Sequence, residues 1–186
     1  MISTFSLFFL SPLLVILVSS FSHGSTPHNM VQETCKKCAA TTPNLSYAFC
    51  VSSLESDDRS RSASLHRLGL ISMDLLRHNL TSTRREVKKL LRNKTLDGFV
   101  KACLDDCLEL YSDAIPTLKE CKREYKQKRF SGANVKVSSI MEAPSTCEDG
   151  FHEKQGVVSP LTKNNKNVFQ LAALTLSIVN MNMHLQ

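Results

Sequence analysis

Seven cysteines are the residues of this chain whose chemistry depends most on spacing. Joined in pairs they staple a scaffold, and as thiolates they bind metals or exchange disulfides. Cys35 and Cys50 stand with fourteen residues between them, and Cys107 and Cys147 with thirty-nine. Cys38, Cys103 and Cys121 remain, and an odd total leaves at least one thiol unpaired. Cys103 lies four residues before Cys107 on one helical face, so either can compete for Cys147, while Cys103 and Cys121 also suit burial as small hydrophobes. Cys35-Lys36-Lys37-Cys38 has the spacing of a redox or zinc dyad. The redox reading needs a βαβ context that is missing, and the zinc reading needs a second ligand pair, for which only Cys103 and Cys107 offer themselves.

Other reactive side chains are not arranged for catalysis. The sequence has no Gly-x-Ser-x-Gly, His-Glu-x-x-His, phosphate-binding or dinucleotide-binding motif, and its six histidines are scattered. The acidic pairs Asp57-Asp58, Asp105-Asp106 and Glu148-Asp149 are adjacent in sequence, and adjacent residues on a helix point apart. The chain is therefore read as a protein that is not an enzyme and that uses no cofactor or metal.

Residues 5–18 are uncharged and strongly apolar, and small residues follow at Ser19, Ser20, Ser22 and Gly24. This is the pattern of a cleavable signal peptide, too short for the ~20 residues that span a bilayer. Residues 1–24 are thus expected to leave, which places residues 25–186 outside the cell or in the vacuole, in a compartment where disulfides persist. No membrane anchor is expected. Asn44, Asn79 and Asn93 each begin an Asn-x-Ser/Thr triplet and are candidate N-glycosylation sites.

About 160 residues remain, enough for one domain with a substantial core. Six Gly, six Pro, no Trp and only 6% aromatic residues favour long helices over a turn-rich sandwich. The net charge of +6 gathers in two clusters. One holds Arg84, Arg85, Lys88, Lys89, Arg92 and Lys94, and the other Lys119, Lys122, Arg123, Lys126, Lys128 and Arg129. Few aromatics are interleaved with them and no recognition module accompanies them, so nucleic acid is excluded and solvated helix faces are expected. Weak association with an acidic wall polysaccharide fits the same charge.

The cysteines must be positioned by helices. Residues 30–54 form a hairpin appendage with Pro43-Asn44 at its turn, and Ser60 or Ser62 is the expected cap of the next helix. Leu65, Leu68, Ile71, Leu76, Leu80 and Val87 mark a first long amphipathic helix, and Leu104, Cys107, Tyr111, Leu118, Cys121 and Tyr125 a second. Pro116 should bend that second helix without ending it. Ser131 is the expected cap of a third helix, disturbed near Pro144 before Cys147. A loop over residues 150–160 follows, and Thr162 is expected to cap a fourth helix burying Val168, Leu171, Ala172, Thr175, Ile178 and Val179. The result is an all-α, antiparallel up-down four-helix bundle (residues 59–186) behind an N-terminal helical hairpin (residues 25–58).

Several segments carry a family likeness: Thr34-Cys35-Lys36-Lys37, Asn44 to Cys50, Cys107 to Ala114, Thr146 to Phe151 and Gly156 to Lys163. In this order they make the chain similar to the plant invertase and pectin methylesterase inhibitor family, in particular its plane-tree pollen allergen branch. The resemblance implies disulfides Cys35 to Cys50 and Cys107 to Cys147. It also implies one-to-one docking onto a secreted carbohydrate-active enzyme, with an acid invertase (β-fructofuranosidase) as the principal expectation. Inhibition of pectin methylesterase, or a non-inhibitory secreted binding protein or allergen of the same fold, is the alternative. Polar residues near the second disulfide meet the enzyme in the pectin methylesterase branch, and the matching positions are Glu109, Asp113, Thr146 and Asp149. The invertase branch inserts a Pro-Lys-Phe segment into its target. Pro160, Leu161 and Lys163 lie at that place, with the proline kept and the Lys-Phe pair absent.

Overall fold

The computed structural model describes residues 30–185, so the expected leader lies outside the described residues. Six α-helices and one 3₁₀ turn make up the described chain. They are α1 (Met30–Thr41), α2 (Tyr47–Glu55), the 3₁₀ turn (Asp58–Ser60), α3 (Leu65–Leu90), α4 (Gly98–Lys126), α5 (Phe130–His152) and α6 (Thr162–Met183).

Helices α3 to α6 close a ring in which each packs on its chain neighbours and α3 also meets α6, giving the up-down bundle. Its core runs from Met73, Leu76 and Leu80 on α3 through Leu104, Tyr111 and Leu118 on α4. Val137, Ile140 and Phe151 on α5 meet them, as do Val168, Leu171 and Ala172 on α6. These are the positions that helical periodicity assigns to the buried faces. The α1/α2 hairpin shares a second core with the bundle, in which Val31, Cys35, Cys50 and Leu54 meet Leu68, Ile71, Leu174 and Ile178. A disulfide joins Cys35 to Cys50 within the hairpin. Asn44 turns the hairpin with φ 66°, a conformation Asn adopts more readily than most residues. Two polar contacts fasten the turn to α6. The hydroxyls of Thr42 and Ser177 lie 2.5 Å apart, and the Ser46 amide donates to Gln170 Oε1. Buried Gln170, a polar interruption in an apolar helix, is thus satisfied by the hairpin.

Helix ends depart from expectation at several points. Ser64, not Ser60 or Ser62, caps α3 by accepting from the Arg67 amide, because Ser60 is buried at the end of a 3₁₀ turn that Asp57 caps. Ser131 lies inside α5, which begins one residue earlier at Phe130 without a side-chain cap. Packing sets that start. Phe130 is buried edge-on against Tyr125, which stacks on His66. Gly69 makes room for this cluster, since a Cβ there would lie 2.0 Å from the Tyr125 hydroxyl oxygen. Pro144 does not disturb the end of α5. The helix continues through Cys147 and buried Phe151 to His152, so Gly150 is helical and the loop before α6 is shorter than expected. A buried proline and a full further turn of core contacts outweigh one lost backbone hydrogen bond. Likewise α4 runs on past Pro116. Thr162 occupies the first turn of α6 rather than its cap, a position held by Leu161.

Candidate functional site

Helices α4 and α5 enclose a groove of about 640 Å³. The 3–4 spacing of its residues explains why they converge. Asp106, Glu109 and Asp113 project from one face of α4, Glu142, Thr146 and Asp149 from the facing stripe of α5, and Glu153 from the residue that caps the end of α5. Six exposed carboxylates therefore share the groove, with no Lys or Arg in its lining, on a chain whose net charge is +6. None of the six makes an ion pair among the described residues.

A disulfide between Cys107 and Cys147 ties the two helices together beside this groove, with Cα atoms 4.9 Å apart. Behind it a polar chain runs from buried Tyr111 and Asn165 out to half-buried Glu148 and exposed Thr162. The Tyr111 hydroxyl donates to Asn165 Oδ1 at 2.6 Å, and Asn165 Nδ2 donates to Glu148 Oε2 at 2.6 Å. The Thr162 hydroxyl completes the chain by donating to Glu148 Oε1 at 2.5 Å. Asn165 Nδ2 also approaches Cys147 Sγ at 3.4 Å. Three helices are thereby locked around one sulfur bridge. Burial, with a smaller effect from the nearby Glu148 charge, pushes the Tyr111 phenol well above its usual range, so it remains a donor at physiological pH.

The structure gathers Glu109, Asp113, Thr146 and Asp149 in the one groove. Pro160 and Lys163 are exposed on the stretch that enters α6 and do not line it. Leu161, between them, is fully buried in the main core and anchors the loop. Asn44 and Asn93 are exposed in turns, whereas Asn79 is half-buried within α3 and its amide donates to the Leu75 carbonyl. Tyr111, Glu148, Asn165 and Thr162 escaped the sequence reading as a polar set. Asn165 carried a usable signal, since it sits three residues before Val168 on the buried stripe of α6.

The three remaining thiols, Cys38, Cys103 and Cys121, are buried. Burial raises Cys38 to about 11 and Cys121 to about 12, and it also raises Cys103. Little thiolate is then present to attack either disulfide. Among the described residues, no three His, Cys, Asp or Glu side chains are grouped to hold a metal ion, and no helix is long and apolar enough to cross a membrane.

A profile described as plant invertase/pectin methylesterase inhibitor matches residues 29–178. The chain belongs to that family. Its members inhibit enzymes and are not enzymes themselves. A Platanus acerifolia protein named "Putative invertase inhibitor" is 42% identical, over 82% of this chain and 85% of that one. "Cell wall / vacuolar inhibitor of fructosidase 2" from Arabidopsis thaliana is 31% identical, over 78% and 76%. The crystal structure of a mutant form of an Arabidopsis pectin methylesterase inhibitor superimposes with a TM-score of 0.70 at 25% identity, covering 82% of this chain and 97% of the other.

Proposed function

We propose that this family member is exported and blocks a plant acid invertase by docking one-to-one through the face where α4 and α5 meet. The observation that carries inhibition by docking, whichever enzyme is the target, is the groove itself, an unpaired acidic surface held rigid by the Cys107–Cys147 bridge and the Tyr111–Asn165–Glu148 chain. A surface ordered before binding loses little entropy on docking, so a modest polar patch suffices for useful affinity. Its negative charge would steer it toward a cationic rim on the target. The names of the Platanus and fructosidase-inhibitor relatives support invertase as that target. The expected leader and the second relative's name support the cell wall or vacuole as the place of action. Weak electrostatic attraction to acidic wall polysaccharide belongs to the same reading.

Pectin methylesterase is the second reading, favoured by the convergence of Glu109, Asp113, Thr146 and Asp149 in one groove and by the burial of Leu161. Mixing the mature protein with each enzyme at roughly micromolar concentration, between about pH 4 and pH 7, distinguishes them. Loss of invertase activity with a one-to-one complex on gel filtration supports the first reading, and loss of esterase activity alone supports the second. Activity unchanged in both enzymes rejects inhibition altogether.

A further inference from the structure

Helix α4 carries opposite charge on its two flanks. Opposite the acidic groove, α3 and α4 bound a second groove of about 1000 Å³. Ile115 and Pro116 give it an apolar surface over fully buried Met73 and Leu118, Glu120 and Gln127 also line it, and it contains no aromatic ring. Lys119, Lys122, Arg123 and Lys126 follow the i, i+3, i+4, i+7 pattern along one wall, spanning ~10 Å of helix, and Arg77 faces them from α3. Lys122 is held by Asp74, which Arg59 also approaches. Arg77, Lys119, Arg123 and Lys126 are exposed and make no ion pair among the described residues.

We infer that this groove binds a polyuronate strand, a linear sugar polymer bearing free carboxylates. A row of unpaired cations above an apolar floor matches such a ligand in both respects. The C–H faces of pyranose rings can lie on Ile115 and Pro116 while successive carboxylates meet Lys119, Arg123 and Lys126. A nucleic acid strand would gain little here, because its bases require aromatic platforms that the lining lacks. The acidic groove on the other flank of α4 repels the same polymer, so the strand is confined to one side and the proposed enzyme-facing surface stays clear. Free carboxylates on a uronan arise by hydrolysis of its esters, the reaction of one of the two enzymes for which the family is named. The inhibitor would thus be retained where that reaction has already run. This site stands whichever enzyme the opposite face blocks.

The test titrates the whole mature protein at about 100 mM salt, where non-specific attraction is screened, with an oligogalacturonide, its fully methyl-esterified form and an oligodeoxynucleotide of equal charge. Two triple variants are compared: Lys119→Gln with Arg123→Gln and Lys126→Gln, and the charge-matched control Lys88→Gln with Arg92→Gln and Lys94→Gln. We expect saturable binding of the free-acid oligomer, lost on esterification. The groove variant should bind about tenfold or more weakly, and the control within about threefold of the parent. Thermal melting confirms that both variants fold, and enzyme inhibition by the groove variant should be unchanged. No saturable binding, equal weakening in both variants, or tighter binding of the oligonucleotide would overturn the site.

Discussion

Single residues around the second disulfide make the sharpest demands. Tyr111→Phe removes one oxygen and leaves buried Asn165 Oδ1 without its donor. Stranding a buried acceptor costs about 1–3 kcal/mol. At ~2–4 °C per kcal/mol for a chain of this size, the melting temperature should fall by several degrees. A shift within about 1 °C of zero would show that the hydroxyl is not structural. Asp57 makes a different demand. Its hydrogen bond from Arg59 holds the carboxyl down to about 2. A carboxyl with a lowered folded-state value stabilises the protein above its unfolded value near ~4, and the benefit disappears as pH falls through the folded value. Asp57→Asn, which cannot titrate there, should therefore melt lower than the parent at pH 5, with the difference shrinking toward pH 2. A difference that stayed constant over that interval would contradict the assignment. Lys and Arg positions were easy to find in the sequence, but their partners were not. The meeting of Arg59 with Asp57 and Asp74 depends on a 3₁₀ turn that no periodicity announces.

Among elements, the second disulfide is the decisive connection. It closes a loop with a sequence separation of 40 and fixes α4 to α5 at the wall of the acidic groove. In the chain-entropy account such a loop contributes about 3–4 kcal/mol. Replacing Cys107 and Cys147 together by alanine should lower stability by that amount in urea unfolding while the Cys35–Cys50 bridge stays intact. A loss below about 1 kcal/mol would mean that packing alone holds the two helices in place. Helices and their buried faces were legible in the sequence because apolar residues recur every three or four positions from Leu65 to Tyr125 and again from Val168 to Val179. Their ends were less so. Ser131, Pro144 and Thr162 are local stop or start signals, and each was overruled by burial elsewhere: Phe130 for the start of α5, Phe151 for its end, and Leu161 for the entry to α6.

On the scale of the whole molecule, the notable feature is segregation of charge within a basic chain. Net charge is read from composition, but the gathering of Asp106, Glu109, Asp113, Glu142, Asp149 and Glu153 required α4 and α5 to be set side by side. The family resemblance groups Glu109, Asp113 and Asp149, while Asp106, Glu142 and Glu153 join them only through the packing of the two helices. Its proposed role is obstruction, with the rigid bundle presenting a fixed negative wall to an enzyme cleft. The most direct test compares the inhibition constant of the parent with that of Asp113→Lys plus Asp149→Lys, against acid invertase and pectin methylesterase. The account predicts that the parent inhibits one of the two and that the variant does so at least about tenfold more weakly with unchanged melting temperature. A parent that inhibits neither enzyme, or a variant that inhibits as well as the parent, would contradict it.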